Sequence, residues 1–186
     1  TLTASGGSRE WLFPLFIKAG SSVAVRVQGS NATAGTVRII TKFWGRPTRP
    51  EACPVGAFSQ TFGAAAGSLG TSFTPGNAAD GAWVDLGATS NPLWWWQFGV
   101  QVNNTVVSGE AVYVDIAYGD VTNKHIITRD MLIGTTLEAV GMSMQTQMLA
   151  CSAYRPVPSG ANVYIRGRCQ DAPDTGYNGV VIGVGG

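Results

Sequence analysis

Few side chains in this sequence could do chemistry, and they are scattered. His125 is the single histidine, and no second histidine, cysteine or aspartate stands beside it at metal-ligand spacing. It also lacks an obvious serine or cysteine partner for a nucleophilic triad. The glutamates are too few and too dispersed to indicate the carboxylate pair of a glycosidase; they are Glu10, Glu51, Glu110 and Glu138. We therefore predict no enzymatic activity, no metal site and no cofactor.

The three cysteines, Cys53, Cys151 and Cys169, form no C-x-x-C pair. An odd number at such spacing argues against a disulfide framework and against a zinc site. Buried thiols are the favoured interpretation, because free cysteine is among the most buried residue types. A pairing of Cys151 with Cys169 across neighbouring strands stays open as the alternative.

Aromatic residues carry the strongest signal for binding. Residues 93–102 (LWWWQFGVQV) contain three consecutive tryptophans. In a strand, Trp94 and Trp96 share one face with Phe98, and Trp95 lies on the other. One face is then core, and the other presents a large aromatic that needs a covering loop, another subunit or a ligand. A protein interface would use such residues, and so would a sugar-stacking platform, for which the candidates are Trp83, Trp95 and Tyr118.

Composition narrows the classes of partner. Only 12% of the residues are charged, against a usual fraction of about 25%. The formal net charge of +1 gives no general attraction for nucleic acid. No apolar run reaches the roughly 18 residues needed to span a bilayer, so we predict no membrane partner. A low charged fraction suits a protein whose outside is largely covered by neighbours or by small polar residues. It suits an extracellular or particle-bound protein better than a cytosolic enzyme.

The elements that must position these residues are strands, and one of them is repeated. Residues 20–26 (GSSVAVR) recur as 160–166 (GANVYIR), about 140 residues later. The same offset matches Ile40 with Val180 and Gly45 with Gly185, and residues 109–115 (GEAVYVD) form a partial third copy. The repeated unit is a β-hairpin or a Greek-key strand pair. Alternating strands also resemble one another through composition alone, which is the competing interpretation.

Alternation of this kind predicts about ten to twelve short strands in a single domain over residues 1–186. Strands are expected at 21–28, with one face inward, at 36–44, and again from 131 to 148, where glycine and threonine disfavour a helix. Residues 1–8 are expected to be a flexible arm. One long irregular loop is expected at about 45–81, held by Phe58, Phe62 and Phe73. A loop of this length is functional, is ordered by a partner, or contains short strands that the sequence does not reveal. The fold class is all-β, an antiparallel β-sandwich with jelly-roll-like order.

Arg26 and Arg166 occupy equivalent positions of the repeat and point outward between apolar residues. The simple interpretation is a pair of solvent-facing strand residues. The functional alternative is an ion pair between subunits, for which Asp115, at the matching site of the third copy, supplies the opposite charge.

Residues 16–28 (FIKAGSSVAVRVQ), the stretch VYIR at 163–166 and the later stretch DTGY at 174–177, with the terminal Gly-Gly, resemble accessory structural proteins of tailed bacteriophage virions. That resemblance implies a non-enzymatic homo-oligomer that contacts other virion proteins, either as capsid decoration or as part of the tail. It implies residence in the virion, an extracellular particle assembled in the host cytoplasm. A carbohydrate-binding or receptor-binding sandwich that uses exposed aromatics is the second expectation. The predicted interface residues are Trp11, Phe13, Arg26, Phe58, Phe62, Trp94, Trp95, Trp96 and Arg166.

Overall fold

The computed structural model describes residues 13–25, 39–41, 43, 56–64, 70–102, 111–134, 145–149, 156–170 and 177–186. Within these residues the secondary structure is entirely β, with ten strands. The strands are β1 (Phe58–Phe62), β2 (Thr71–Phe73), β3 (Gly76–Asn77), β4 (Val84–Ala88), β5 (Leu93–Val102), β6 (Ala111–Gly119), β7 (Lys124–Gly134), β8 (Gln145–Leu149), β9 (Asn162–Cys169) and β10 (Tyr177–Gly185).

The strands form two sheets whose order is that of a jelly roll. In the first sheet the order is β1-β10-β5-β8, with β2 beside β1 on the same edge of β10. In the second sheet it is β3-β9-β6-β7, with β4 beside β3 on the same edge of β9. All pairings are antiparallel except β3 with β9. In each sheet, a strand from the end of the chain lies between one from its beginning and one from its middle: β10 between β1 and β5, and β9 between β3 and β6. This order confirms the predicted β-sandwich.

The core lies between the two sheets and follows the alternation of the strands. Trp96, Phe98 and Val100 of β5 are fully buried, and so are Val112 and Val114 of β6. Successive side chains of a strand point to opposite faces, so every second residue enters this layer. β9 and β10 contribute Val163, Ile165, Cys169, Tyr177 and Val181 to the same cluster.

The region predicted as a long irregular loop, about 45–81, contains β1, β2 and β3. Phe62 and Phe73 are buried in the core, and Phe58 packs against it half-buried, so the three predicted anchors are confirmed. Of the alternatives for this loop, the presence of short strands is the correct one here, and the stretch is not irregular over them. They have only two to five residues each, too few for alternation to be recognised, and they are ordered by pairing with β9 and β10.

A bulge in β5 decides where the three tryptophans point. Leu93 pairs with Gly185 and Trp95 with Val184, so Trp94 is an extra residue in the ladder. Leu93 and Trp96 therefore both face the core although three positions separate them. Trp94 is half-buried and lies outside the set of half-buried residues that pack against the core. The prediction that Trp94 shares the core face with Trp96 is corrected by this bulge.

Candidate interface surfaces

The two copies of the repeat begin with the same turn. Ser21 N–H donates to the carbonyl of Lys18 (3.1 Å), and Ala161 N–H donates to that of Pro158 (3.5 Å). The third residue of each turn is a glycine with positive φ, 83° at Gly20 and 84° at Gly160. A type II turn requires that conformation at this position. The repeat is therefore shared backbone geometry as well as shared composition.

Beyond the turn the two copies differ in burial. Val163 and Ile165 are fully buried in β9, whereas their counterparts Val23 and Val25 are 50% and 56% exposed. Before the turn, Val157 is buried and its counterpart, Ile17, is about half exposed. The predicted strand at 21–28 is not formed over the described residues 21–25, and its expected inward face is open to solvent.

These residues belong to a larger exposed group, here called the N-terminal apolar segment (residues 13–25, 39–41 and 43). Residues 39–41 and 43 also lie outside any strand, contrary to the strand predicted at 36–44. Phe16 is 72% exposed and Ile40 74%. The segment meets the sandwich at Gly56, whose N–H donates to Pro14 and whose carbonyl accepts from Phe16. The exposed large side chains of the segment are Phe13, Phe16, Ile17, Val23, Val25, Ile39, Ile40 and Phe43.

Their summed exposed area is roughly 800 Å², taking about 200 Å² for a fully exposed phenylalanine and somewhat less for valine and isoleucine. One partner of a standard-sized protein interface contributes about the same area. The N-terminal apolar segment is thus large enough to form an interface by itself.

The outer face of the second sheet carries a buried ion pair. Arg166 of β9 lies directly opposite Asp115 of β6. Its Nε and Nη2 donate to Oδ2 of Asp115 at 2.8 and 2.7 Å, and Nη2 also lies 2.6 Å from Oδ2 of Asp80. The guanidinium stacks over the ring of Trp83, 4.4 Å from its centroid. Only 13% of the Arg166 side chain and 6% of the Asp115 side chain are exposed.

The predicted partner of Arg166 is therefore correct, but the predicted relation is not. The pair forms within one chain, because the register of β6 and β9 places the two residues opposite each other. It is neither a contact between subunits nor a solvent-facing arginine. Arg26, the matching residue of the first copy, lies outside the described residues.

Further cation–ring contacts line the same sheet. Lys124 Nζ lies 4.5 Å from the ring centroid of Tyr164, and the guanidinium of Arg168 lies 5.1 Å from that of Tyr113. Arg168 also pairs with Asp130 at 3.0 Å. Electrostatic attraction between a cation and the face of a ring stabilises such contacts. A sugar that stacked on these faces would have to displace the cations.

The predicted sugar platform of Trp83, Trp95 and Tyr118 is not an open surface. Arg166 covers Trp83, and Trp95 is only 5% exposed. Tyr118 stacks on His125 with ring centroids 5.0 Å apart. A different aromatic, Tyr113, borders a cleft of about 340 Å³ together with Ala78, Arg168, Cys169 and Gln170.

The predicted interface residues fall into three groups. Phe62, Trp95 and Trp96 are buried within the single chain, so they offer no free surface to a partner. Phe58 and Trp94 are half-buried, and Phe13 is exposed. Trp11, like Arg26, lies outside the described residues. Phe16, Ile40 and Phe43 are exposed although they are absent from the predicted set.

Cys169 is buried, as expected, and its thiol donates to the carbonyl of Gly76 at 3.3 Å. Cys53 and Cys151 lie outside the described residues. In the described part of the chain, no group of three His, Cys, Asp or Glu side chains is placed to hold a metal ion. No helix in that part is long and apolar enough to cross a membrane.

Comparison with family models, curated proteins and solved structures gives no match for this chain. Its function has to be argued from its own residues.

Proposed function

We propose that the protein is a non-enzymatic structural subunit of a tailed bacteriophage virion, either a capsid decoration protein or a tail component. It acts by burying surface between subunits, in a homo-oligomer and against other virion proteins. The virion assignment rests on the resemblance of residues 16–28 to accessory virion proteins, and the observation that supports the assembly role is the N-terminal apolar segment, in which eight large apolar side chains are exposed. Soluble monomers rarely expose an apolar patch larger than a few hundred Å², and larger patches mark interaction sites.

The size of this surface fits an assembly role. At about 25 cal/mol per Å², covering roughly 800 Å² corresponds to about 20 kcal/mol of gross transfer free energy. Association and side-chain ordering offset a large part of that sum. The net charge of +1 adds little repulsion between copies. Jelly-roll sandwiches serve as viral capsid domains and as lectin domains, so the fold accommodates the proposal without deciding it.

The test is light scattering after size exclusion, at several protein concentrations. We expect a discrete trimer, pentamer or hexamer, or rings and tubes that grow with concentration. The double variant Phe16→Glu/Ile40→Glu should shift the mass toward the monomer. Val121→Glu is the matched control, because Val121 is equally exposed but lies in the turn between β6 and β7. A monomer at every concentration, or equal effects of the two variants, would refute the proposal.

A carbohydrate-binding or receptor-binding module is the second candidate, and the cleft beside Tyr113 favours it. The cleft is an open depression of about 340 Å³, where Arg168 and Gln170 supply polar groups. The guanidinium of Arg168 lies over the Tyr113 ring and pairs with Asp130, so a bound sugar has to displace it from that ring. On a glycan array, Tyr113→Ala should then abolish binding without changing the oligomer. Binding that survives this substitution, or no binding by the unmodified protein, would exclude the cleft as a glycan site.

A further inference from the structure

We propose that residues 22–25, after the turn at Gly20, and residues 39–43 belong to the two closing strands of a second β-sandwich, one that has this jelly-roll order but lacks its own last two strands. The inference rests on one part of the proposed function, contact with other virion proteins, and it names the kind of partner. The argument starts from the residues of the second copy that are equivalent to this segment. They lie in β9 and β10, which are the last two strands in chain order.

The equivalence extends over both strands. The turn at Gly20 reproduces the turn at Gly160, and Val23 and Val25 match the buried Val163 and Ile165. At the same offset, Ile39 and Phe43 match Gly179 and Gly183 of β10. Residues 39, 41 and 43 share one face of an extended strand. That face corresponds to the core-facing side of β10, where Thr41 takes the place of the buried Val181.

The position of β9 and β10 in the sheets indicates what these residues need. β9 lies between β6 and the short strands β3 and β4, and β10 lies between β5 and the short strands β1 and β2. A sandwich without these two strands would have an open slot in each sheet. Backbone hydrogen bonds and inward apolar side chains would both be available there to a strand pair of this pattern.

A second copy of this chain is a poor acceptor, for a steric reason. A Cβ added to Gly183 would lie 2.6 Å from Cδ1 of Leu93 and 3.0 Å from the Trp96 ring. The phenylalanine ring of Phe43 cannot occupy that position. The acceptor sandwich must instead have smaller side chains than Leu93 and Trp96 opposite Phe43.

A change of side-chain size at a neighbouring position agrees with this. A Cβ added to Gly179 would lie 2.5 Å from Cδ1 of Ile165. In the first copy Ile39 replaces this glycine, and Val25, which has no Cδ1, replaces Ile165. The first copy thus has a larger side chain at one position and a smaller one at the other. Such compensation in volume is expected for side chains that meet in one core.

The experiment supplies an acceptor of known build. A second copy of residues 46–152, which carries β1 to β8, is fused in front of residue 13. Residue 13 then follows residue 152 in the place of its counterpart, residue 153, so the segment follows β8 of the added unit as β9 and β10 do in the chain. The test form carries Phe43→Gly, which relieves the contact with Leu93 and Trp96. The positive control replaces residues 13–45 of the fusion by residues 153–185, and the third form keeps Phe43.

Hydrogen exchange of the amides in 22–25 and 39–43 is the readout. We expect exchange in the test form to be slower by about a hundredfold or more than in the unfused chain, because strands inside a sandwich open only through large unfolding events. Unchanged exchange in the test form, with a closed added unit in the positive control, would overturn the proposal. Protection in the form that keeps Phe43 would overturn the steric argument and make a second copy the partner.

This result is separable from the proposed function. The fusion reports on closure within one polypeptide, whereas light scattering of the unfused chain reports on assembly. Protected amides in the fusion with a strictly monomeric unfused chain would refute self-assembly and leave the strand-pair assignment standing.

Discussion

Val23 is half exposed and Val163 is fully buried, although the two valines occupy equivalent positions of the repeat, three residues after the same glycine turn. The same side chain therefore carries different energetic weight in the two copies. Val163→Asp should destabilise the fold by several kcal/mol, because it places an unpaired carboxylate in the core. Val23→Asp should change the free energy of unfolding by about 0.5 kcal/mol or less. Urea denaturation of both variants measures the difference.

Similar losses in the two variants would show that the first copy is packed in the free chain. The pair Val25→Asp and Ile165→Asp repeats the comparison at the next inward position. Because Val25 is 56% exposed and Ile165 fully buried, the second pair should follow the first.

The ion pair of Arg166 with Asp115 should contribute through its burial. Asp115→Ala leaves the guanidinium largely buried with only Asp80 as a carboxylate partner, and it removes the acceptor for the backbone N–H of Asp130. We expect a loss of about 3 kcal/mol, the lower end for a broken buried pair, because Asp80 remains. Asp80→Ala should cost about 1 kcal/mol or less, since 40% of the Asp80 side chain is exposed.

The double variant Asp115→Ala/Arg166→Met separates the pair from its surroundings. Removing both charges avoids the unpaired guanidinium, so part of the loss should be recovered in chemical denaturation. A double variant as unstable as the sum of the single changes would show that the two side chains act independently.

The longest strands could be predicted from sequence because their alternation is local. The strand expected over residues 93–102 is β5, with both ends as predicted, and the alternating Val112, Val114 and Ile116 of β6 are all buried. The short strands β1 to β3 could not be found, because two to five residues carry no period. The ion pair of Asp115 with Arg166 was predicted between subunits and forms within one chain. The sequence could not show this, because the register of β6 against β9 is set by non-local pairing.

The N-terminal apolar segment shows a different limit of sequence reasoning. Residues 21–25 carry valine at alternate positions, and β9 alternates in the same way; this pattern predicts a strand with one buried face, but neither the strand nor the burial is observed there. A pattern cannot state whether the covering sheet belongs to the same chain. Val23 and Val25 were therefore expected to face inward, and their exposure is known only from the structure.

Asp120 should make the turn between β6 and β7 sensitive to acid. The backbone N–H groups of Asn123 and Thr122 donate to its Oδ1, at 2.6 and 2.7 Å, and lower the pKa of this carboxyl. The stabilisation is therefore complete above the ordinary aspartate pKa of about 3.9 and is lost as the pH falls through the lowered value. Carboxyl carbon NMR should show Asp120 titrating below the ordinary range, and a midpoint at or above it would contradict the assignment. Asp120→Ala should remove this part of the acid sensitivity.

Trp95 provides the sharpest contrast between a core residue and an interface residue. Its position opposite the core face of β5 indicated a side chain that needs cover, and at 5% exposure it is covered within a single chain. Trp95→Ala should therefore destabilise the monomer by about 3–5 kcal/mol, as for other large-to-small changes of buried aromatics. Trp94→Ala, at the half-buried bulge beside it, should cost about 1 kcal/mol. Thermal unfolding of the two variants decides the matter: a fully stable Trp95→Ala monomer with a weakened oligomer would return Trp95 to the interface.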